Sequence, residues 1–89
     1  MTFDYNAAEK AVLETLEKAG NELNMQLMIA EVIEQDFGWV FLYEAEDARL
    51  AANAVLVFDK SDGVVYVPGA ATSIDSGIEQ YRRGNKSRA

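Results

Sequence analysis

Apolar positions in residues 5–19 recur at helical spacing. Ala8, Val12, Leu13 and Leu16 form one stripe, and Glu9, Glu14, Glu17 and Lys18 fill the other face. This pattern predicts an amphipathic helix from Tyr5 to Ala19, capped by Asp4 or Asn6 and stopped at Gly20-Asn21. In the next run, Leu23 to Ile33, Leu23, Met25, Leu27 and Ile29 alternate as a strand does. Met28, Ala30 and Val32 are apolar as well, so a buried helix also fits. A strand is favoured because the following segment offers it a pairing partner. That segment, Phe37 to Glu44, has the clearest strand pattern: Phe37, Trp39, Phe41 and Tyr43 share one face, and Gly38, Val40 and Leu42 the other. Two apolar faces predict a central strand that is covered on both sides or carries an interface on one.

Glu44 to Ala52 is polar and alanine-rich and reads as a loop or a short helical turn. Ala54 to Asp59 predicts a third strand. Lys60-Ser61-Asp62-Gly63 then makes a turn with glycine where positive φ is wanted, and Val64 to Val67 pairs back before Pro68-Gly69. Thr72 or Ser73 caps a last helix with Ile74, Ile78 and Tyr81 on one face, and Ser76-Gly77-Ile78-Glu79 also matches a capping-box spacing, so the helix start stays open. Residues 84–89 read as a basic, polar, frayed tail. The expected fold class is α+β: a four-stranded antiparallel sheet with an N-terminal helix and a short C-terminal helix (α-β-β-β-β-α), one domain over residues 1–83.

Composition removes most chemistry. The 89 residues contain no cysteine and no histidine. Disulfides, thiolate metal sites, thiol nucleophiles and histidine-based acid–base catalysis are therefore excluded. No spacing supports a carboxylate dyad, and Asp59 to Gly63 lacks the ligand positions of a calcium loop. A protein that is not an enzyme, with no catalytic residue, cofactor or metal, is expected. The first five residues lack a basic, apolar leader, and no apolar run reaches the roughly 18–20 residues of a membrane span, so a cytoplasmic protein off the membrane is expected.

Charge adds a direction. The net charge is −7, and four of the eight basic residues (Arg82, Arg83, Lys86 and Arg88) lie in the last eight positions. The body before Arg82 is correspondingly acidic, which disfavours nucleic acid and anionic lipid and favours a basic protein partner. Around the aromatic strand stand Glu34, Asp36, Glu44, Glu46 and Asp47, with Trp39 and Tyr43 on the strand itself. Aromatic anchors rimmed by acids suit docking on a basic surface. Trp39 equally fits a core aromatic, and the acids a solvated loop. A homodimer would also serve so small a core.

The order of motifs resembles a known family. Asp36-Phe37-Gly38-Trp39-Val40-Phe41 is followed by Leu50-Ala51-Ala52-Asn53-Ala54, then by Val57-Phe58-Asp59-Lys60-Ser61-Asp62-Gly63-Val64-Val65, and finally by Tyr81. This series resembles the immunity protein 35 family of bacterial polymorphic-toxin systems, whose members carry a Gly-Trp strand, an L-A-G-N-x-P segment, a D-K-x-x-G hairpin and a tyrosine-bearing last helix. Ala52 stands where the family has glycine, and Ala54 where it has proline. The resemblance implies a small protein that binds and occludes a cognate toxin. A chaperone-like holdase is the alternative, and the two-faced aromatic strand would serve it.

Overall fold

The computed structural model describes residues 2–46, 54–69, 71 and 73–89. Helix α1 spans Tyr5–Leu23, with Asp4 as N-cap accepting from the Ala7 amide at 2.9 Å. It runs past the predicted stop at Gly20-Asn21. Gly20 is a packing glycine: a Cβ there would lie 2.6 Å from the Met25 carbonyl oxygen, and the Met25 amide donates to the Gly20 carbonyl at 2.9 Å. The helix ends instead at Asn24, whose φ of 55° supplies the left-handed turn. Leu23 and Met25 therefore belong to the helix end and its turn, and the first strand starts later than expected.

Strand β1 is Leu27–Gln35, β2 Gly38–Ala45, β3 Ala54–Asp59 and β4 Val64–Pro68. Helix α2 is Ile74–Arg82, capped by Ser73, and β5 is Lys86–Arg88. All neighbours are antiparallel, in the order β1-β2-β3-β4-β5. The sheet thus has five strands rather than four. The supposed frayed tail turns at Gly84 (φ 79°) and returns along β4, with Val67 opposite Ser87 and the Ala89 amide donating to the Val65 carbonyl. The Lys86 ammonium holds this return, 4.0 Å from the Tyr81 ring centroid and 4.6 Å from that of Tyr66.

Each face of the sheet carries one helix and one core. Ala8, Val12 and Leu16 of α1 pack on Phe41, Leu56 and Phe58, with Leu27, Ile29 and Val32 of β1 at the margin. On the opposite face Ile74 and Tyr81 of α2 pack on Val40, Val55 and Val57. β2 is therefore covered on both sides, as its two apolar faces require. Phe37 is the exception to the predicted alternation. It precedes the strand and packs with Tyr81 on the α2 side, while Trp39 joins the α1 core. The reversal occurs at Gly38, whose φ of 149° and missing side chain admit the Phe58 carbonyl; a Cβ would lie 2.0 Å from that oxygen.

Candidate functional site

Two aromatic clusters sit back to back across the sheet, at the end where the β1–β2 and β3–β4 turns lie. The α2-side cluster is built by Phe37, Tyr66 and Tyr81. The Phe37 and Tyr81 rings stack 4.5 Å apart, and Tyr66 meets Tyr81 edge-on at 5.7 Å. The Arg82 guanidinium lies 5.1 Å from the Phe37 centroid and pairs with Asp36 at 2.6 Å. The Tyr81 hydroxyl donates to Asp59 Oδ2, and the Tyr66 hydroxyl donates to Asp62 Oδ2 at 2.6 Å. The Ser61 amide and hydroxyl donate to Asp59 Oδ1 at 2.8 and 2.5 Å, closing the β3–β4 turn onto the same carboxylate.

Electrostatics hold the proton of the Tyr81–Asp59 pair on the phenol. Burial, then the Asp59 hydrogen bond and charge, push the Tyr81 phenol well above its usual range. Burial alone would raise Asp59, but the hydrogen bonds from Ser61 and Tyr81 and the charge of Lys86 outweigh it and hold the carboxyl below its usual value. The hydrogen bond from Arg82 likewise lowers Asp36. The phenol is thus a hydrogen-bond donor and the carboxylates are acceptors near neutrality. The donors and acceptors satisfy one another, so the cluster ties α2 and β5 to the β3–β4 turn.

The α1-side cluster is open. Phe3 meets Phe58 edge-on at 6.0 Å, Tyr5 meets Trp39 edge-on at 5.8 Å and stacks on Phe41 at 6.2 Å, and Trp39 lies 6.2 Å from Phe58. Phe3 is 45% exposed and Tyr5 38%, while Trp39 is half-buried between them and the core. The Phe3 amide donates to the Lys60 carbonyl at 2.9 Å, which anchors the segment before α1 to the β3–β4 turn. Gly63 (φ 70°) leaves room for the Phe3 ring, since a Cβ there would approach it to 2.6 Å. The rim is acidic. Glu34 is the cross-strand partner of Trp39 and shares its face, and Glu9 accepts from the Tyr5 hydroxyl at 3.3 Å. Burial and the Glu9 carboxylate raise the Tyr5 phenol, which stays a neutral donor. Part-exposed aromatic rings with carboxylates at the edge offer chemistry that suits apolar and cationic groups.

The residues singled out by sequence do not form one patch. Glu34 and Trp39 come together in the open cluster. Tyr43 lies further along the same face, half-buried beside the α1 core, and burial raises its phenol. Asp36 belongs to the α2-side cluster through Arg82. Glu44 and Glu46 are exposed at the far end of the β1–β2 hairpin, with Glu44 opposite Met28 and the Glu46 amide donating to the Gln26 carbonyl. From Trp39 to Glu44 the strand advances about 17 Å, too far for one carboxylate rim. Asp47, and the Leu50-Ala51-Ala52-Asn53 motif with most of the loop from Glu44 to Ala52, lie outside the described residues, as does Thr72. Phe3, Tyr5 and Glu9 were not singled out. Their only sequence signal is two aromatics flanking the helix cap Asp4, which periodicity does not score.

Among the described residues no group of three or more acidic side chains is arranged to hold a metal ion, and no helix is long and apolar enough to cross a membrane. No family model, no curated protein and no solved structure matches the chain, so the resemblance to the immunity protein 35 family rests on the quoted motifs alone.

Proposed function

We propose that this domain is a binding protein that neutralises a basic protein partner in the cytoplasm by covering its working surface, in the manner of a toxin-immunity protein. The observation that carries this reading is the open aromatic cluster of Phe3, Tyr5 and Trp39 beside Glu34 and Glu9. Aromatic rings of this kind supply contact area at little conformational cost, and adjacent carboxylates steer a cationic partner and select against anionic ones. The resemblance in motif order supports the immunity reading and names the first partner to try, a toxin encoded beside the gene.

The test is capture of that neighbouring gene product on the tagged protein, eluted with stepped salt. One near-stoichiometric partner, released by salt and lost from the Tyr5→Ala variant, is the expected result. A spread of minor partners, together with suppressed aggregation of unrelated unfolded proteins, would replace specific neutralisation with the holdase reading. Capture untouched by Tyr5→Ala would remove the open cluster from the interface.

A further inference from the structure

The two margins of the sheet are built differently. β5 is three residues long and carries Lys86 and Arg88, which is how natural sheets blunt an edge. β1 is nine residues long, an edge of about 30 Å. Among the described residues its ladder partner is β2 alone. Alternate backbone amides and carbonyls of such an edge point away from the sheet and are free to pair with another strand.

The side chains along β1 state what that strand would have to be. Leu27, Ile29 and Val32 turn to the α1 core, and a bulge at Ala30 keeps them there. On the other face α2 packs over β2, β3 and β4, and Met28 and Ile33 on the edge remain 45% and 37% exposed. Glu31 stands between them on this face and Glu34 on the α1 face, and β1 and β2 together contain no basic residue. Glu34 also borders Trp39, so this edge runs directly into the open aromatic cluster.

We infer that β1 is an acceptor edge for an extended segment of a basic protein, which adds to the sheet as a sixth strand. Apolar side chains on the α2 face of that segment cover Met28 and Ile33, and Lys or Arg side chains on its α1 face pair with Glu34. Main-chain hydrogen bonds supply the affinity and the alternating side chains the selectivity. A second copy of this chain is the poorer occupant: pairing β1 with β1 sets two edges that lack any basic residue against each other, in molecules that each carry a charge of −7. The inference deepens the binding reading above and rests on it for the identity of the partner, but the edge itself can be tested with a peptide.

The probe is a fluorescent, end-capped nine-residue peptide of alternating lysine and valine, titrated into the full chain. A glutamate–valine peptide and the lysine–valine peptide N-methylated at alternate amides serve as controls. The expected result is binding of the lysine–valine peptide, a loss of at least about tenfold on N-methylation, and no binding of the acidic peptide. The Met28→Lys/Ile33→Lys variant, changed only at exposed edge positions, is expected to keep its melting temperature and lose at least about tenfold in peptide affinity. Binding indifferent to N-methylation would reduce the effect to charge attraction and overturn the inference. No binding at all, or a sedimenting dimer whose β1 edge is closed to the peptide, would overturn it too. Capture of the neighbouring gene product by the same variants separates the two readings. Loss with Tyr5→Ala but not with the edge variant overturns the edge alone, and loss with the edge variant but not with Tyr5→Ala overturns the patch.

Discussion

The two aromatic clusters share one end of one sheet and differ in what surrounds their rings. On the α2 side the polar groups around Phe37, Tyr66 and Tyr81 pair internally: Arg82 with Asp36, Tyr81 with Asp59, Tyr66 with Asp62, and Lys86 over two rings. On the α1 side Phe3 and Tyr5 remain part-exposed over Trp39, and the carboxylate of Glu34 faces solvent. Similar rings are thus closed off where cations and hydroxyl–carboxylate pairs surround them, and stay part-exposed on the α1 side, where the binding proposed above would fall. Gly38 separates the two, because the backbone reversal there sends Phe37 to one side and Trp39 to the other.

The sharpest break in this comparison is truncation of matched tyrosines. Tyr81→Ala removes a buried ring shared by α2, β4 and the β3–β4 turn, and is expected to cost roughly 3–5 kcal/mol in denaturant unfolding, enough to unfold a marginal domain. Tyr5→Ala is expected to cost about 1 kcal/mol of stability, the worth of its edge and stacking contacts. Its main effect falls on partner affinity, about 2 kcal/mol or thirtyfold by calorimetric titration. Equal stability losses at the two positions would erase the distinction between a closed and an open cluster.

Next in size is the response to pH, which belongs to the closed side. Asp59 is held below its ordinary value, so the stability it lends is present above the usual carboxylate pKa of about 3.9 and fades as pH falls through its lower folded value. Tyr81 is raised, so its contribution is intact below the usual tyrosine pKa of about 10 and is lost as pH climbs past it. Thermal melts of wild type and Asp59→Asn across both limbs should show the acid slope flattened in the variant. The smallest effect is that of Lys86→Ala, about 0.5–1 kcal/mol from the loss of one cation over two rings. Its readout is faster amide exchange at Ala89, whose N–H closes on Val65.

How much of this was legible from sequence depends on how local each cause is. The alternation through β2 and the turn at Gly63 are short-range patterns, and the structure has them where the pattern put them; of the starts the pattern offered for the last helix, the structure uses the Ser73 cap. The end of α1 was misread because Gly20 serves close packing against Met25 rather than termination. β5 was missed because Lys-Ser-Arg has no strand pattern of its own. It is a strand only because β4 offers an edge and two tyrosine rings hold Lys86. The Phe37 reversal depends on a backbone conformation that alternation does not encode.

The candidate site divides in the same way. Glu34 beside Trp39 follows from hairpin register, which alternation predicts. Asp36 looked free because its partner, Arg82, lies 46 residues further on. Phe3 and Tyr5 precede or open the helix and sit outside any apolar stripe, so only the folded chain lays them against Trp39 and Phe58.

The most direct test of the open cluster as the docking face is a calorimetric titration of the neighbouring gene product into wild type and into the Tyr5→Ala/Glu34→Lys double variant, at low and at high salt. Tight, salt-weakened binding by wild type and little or none by the double variant, with both proteins equally folded, is the predicted result. Equal affinity for the two proteins would contradict it and leave the aromatic cluster of Phe3, Tyr5 and Trp39 a margin of the core.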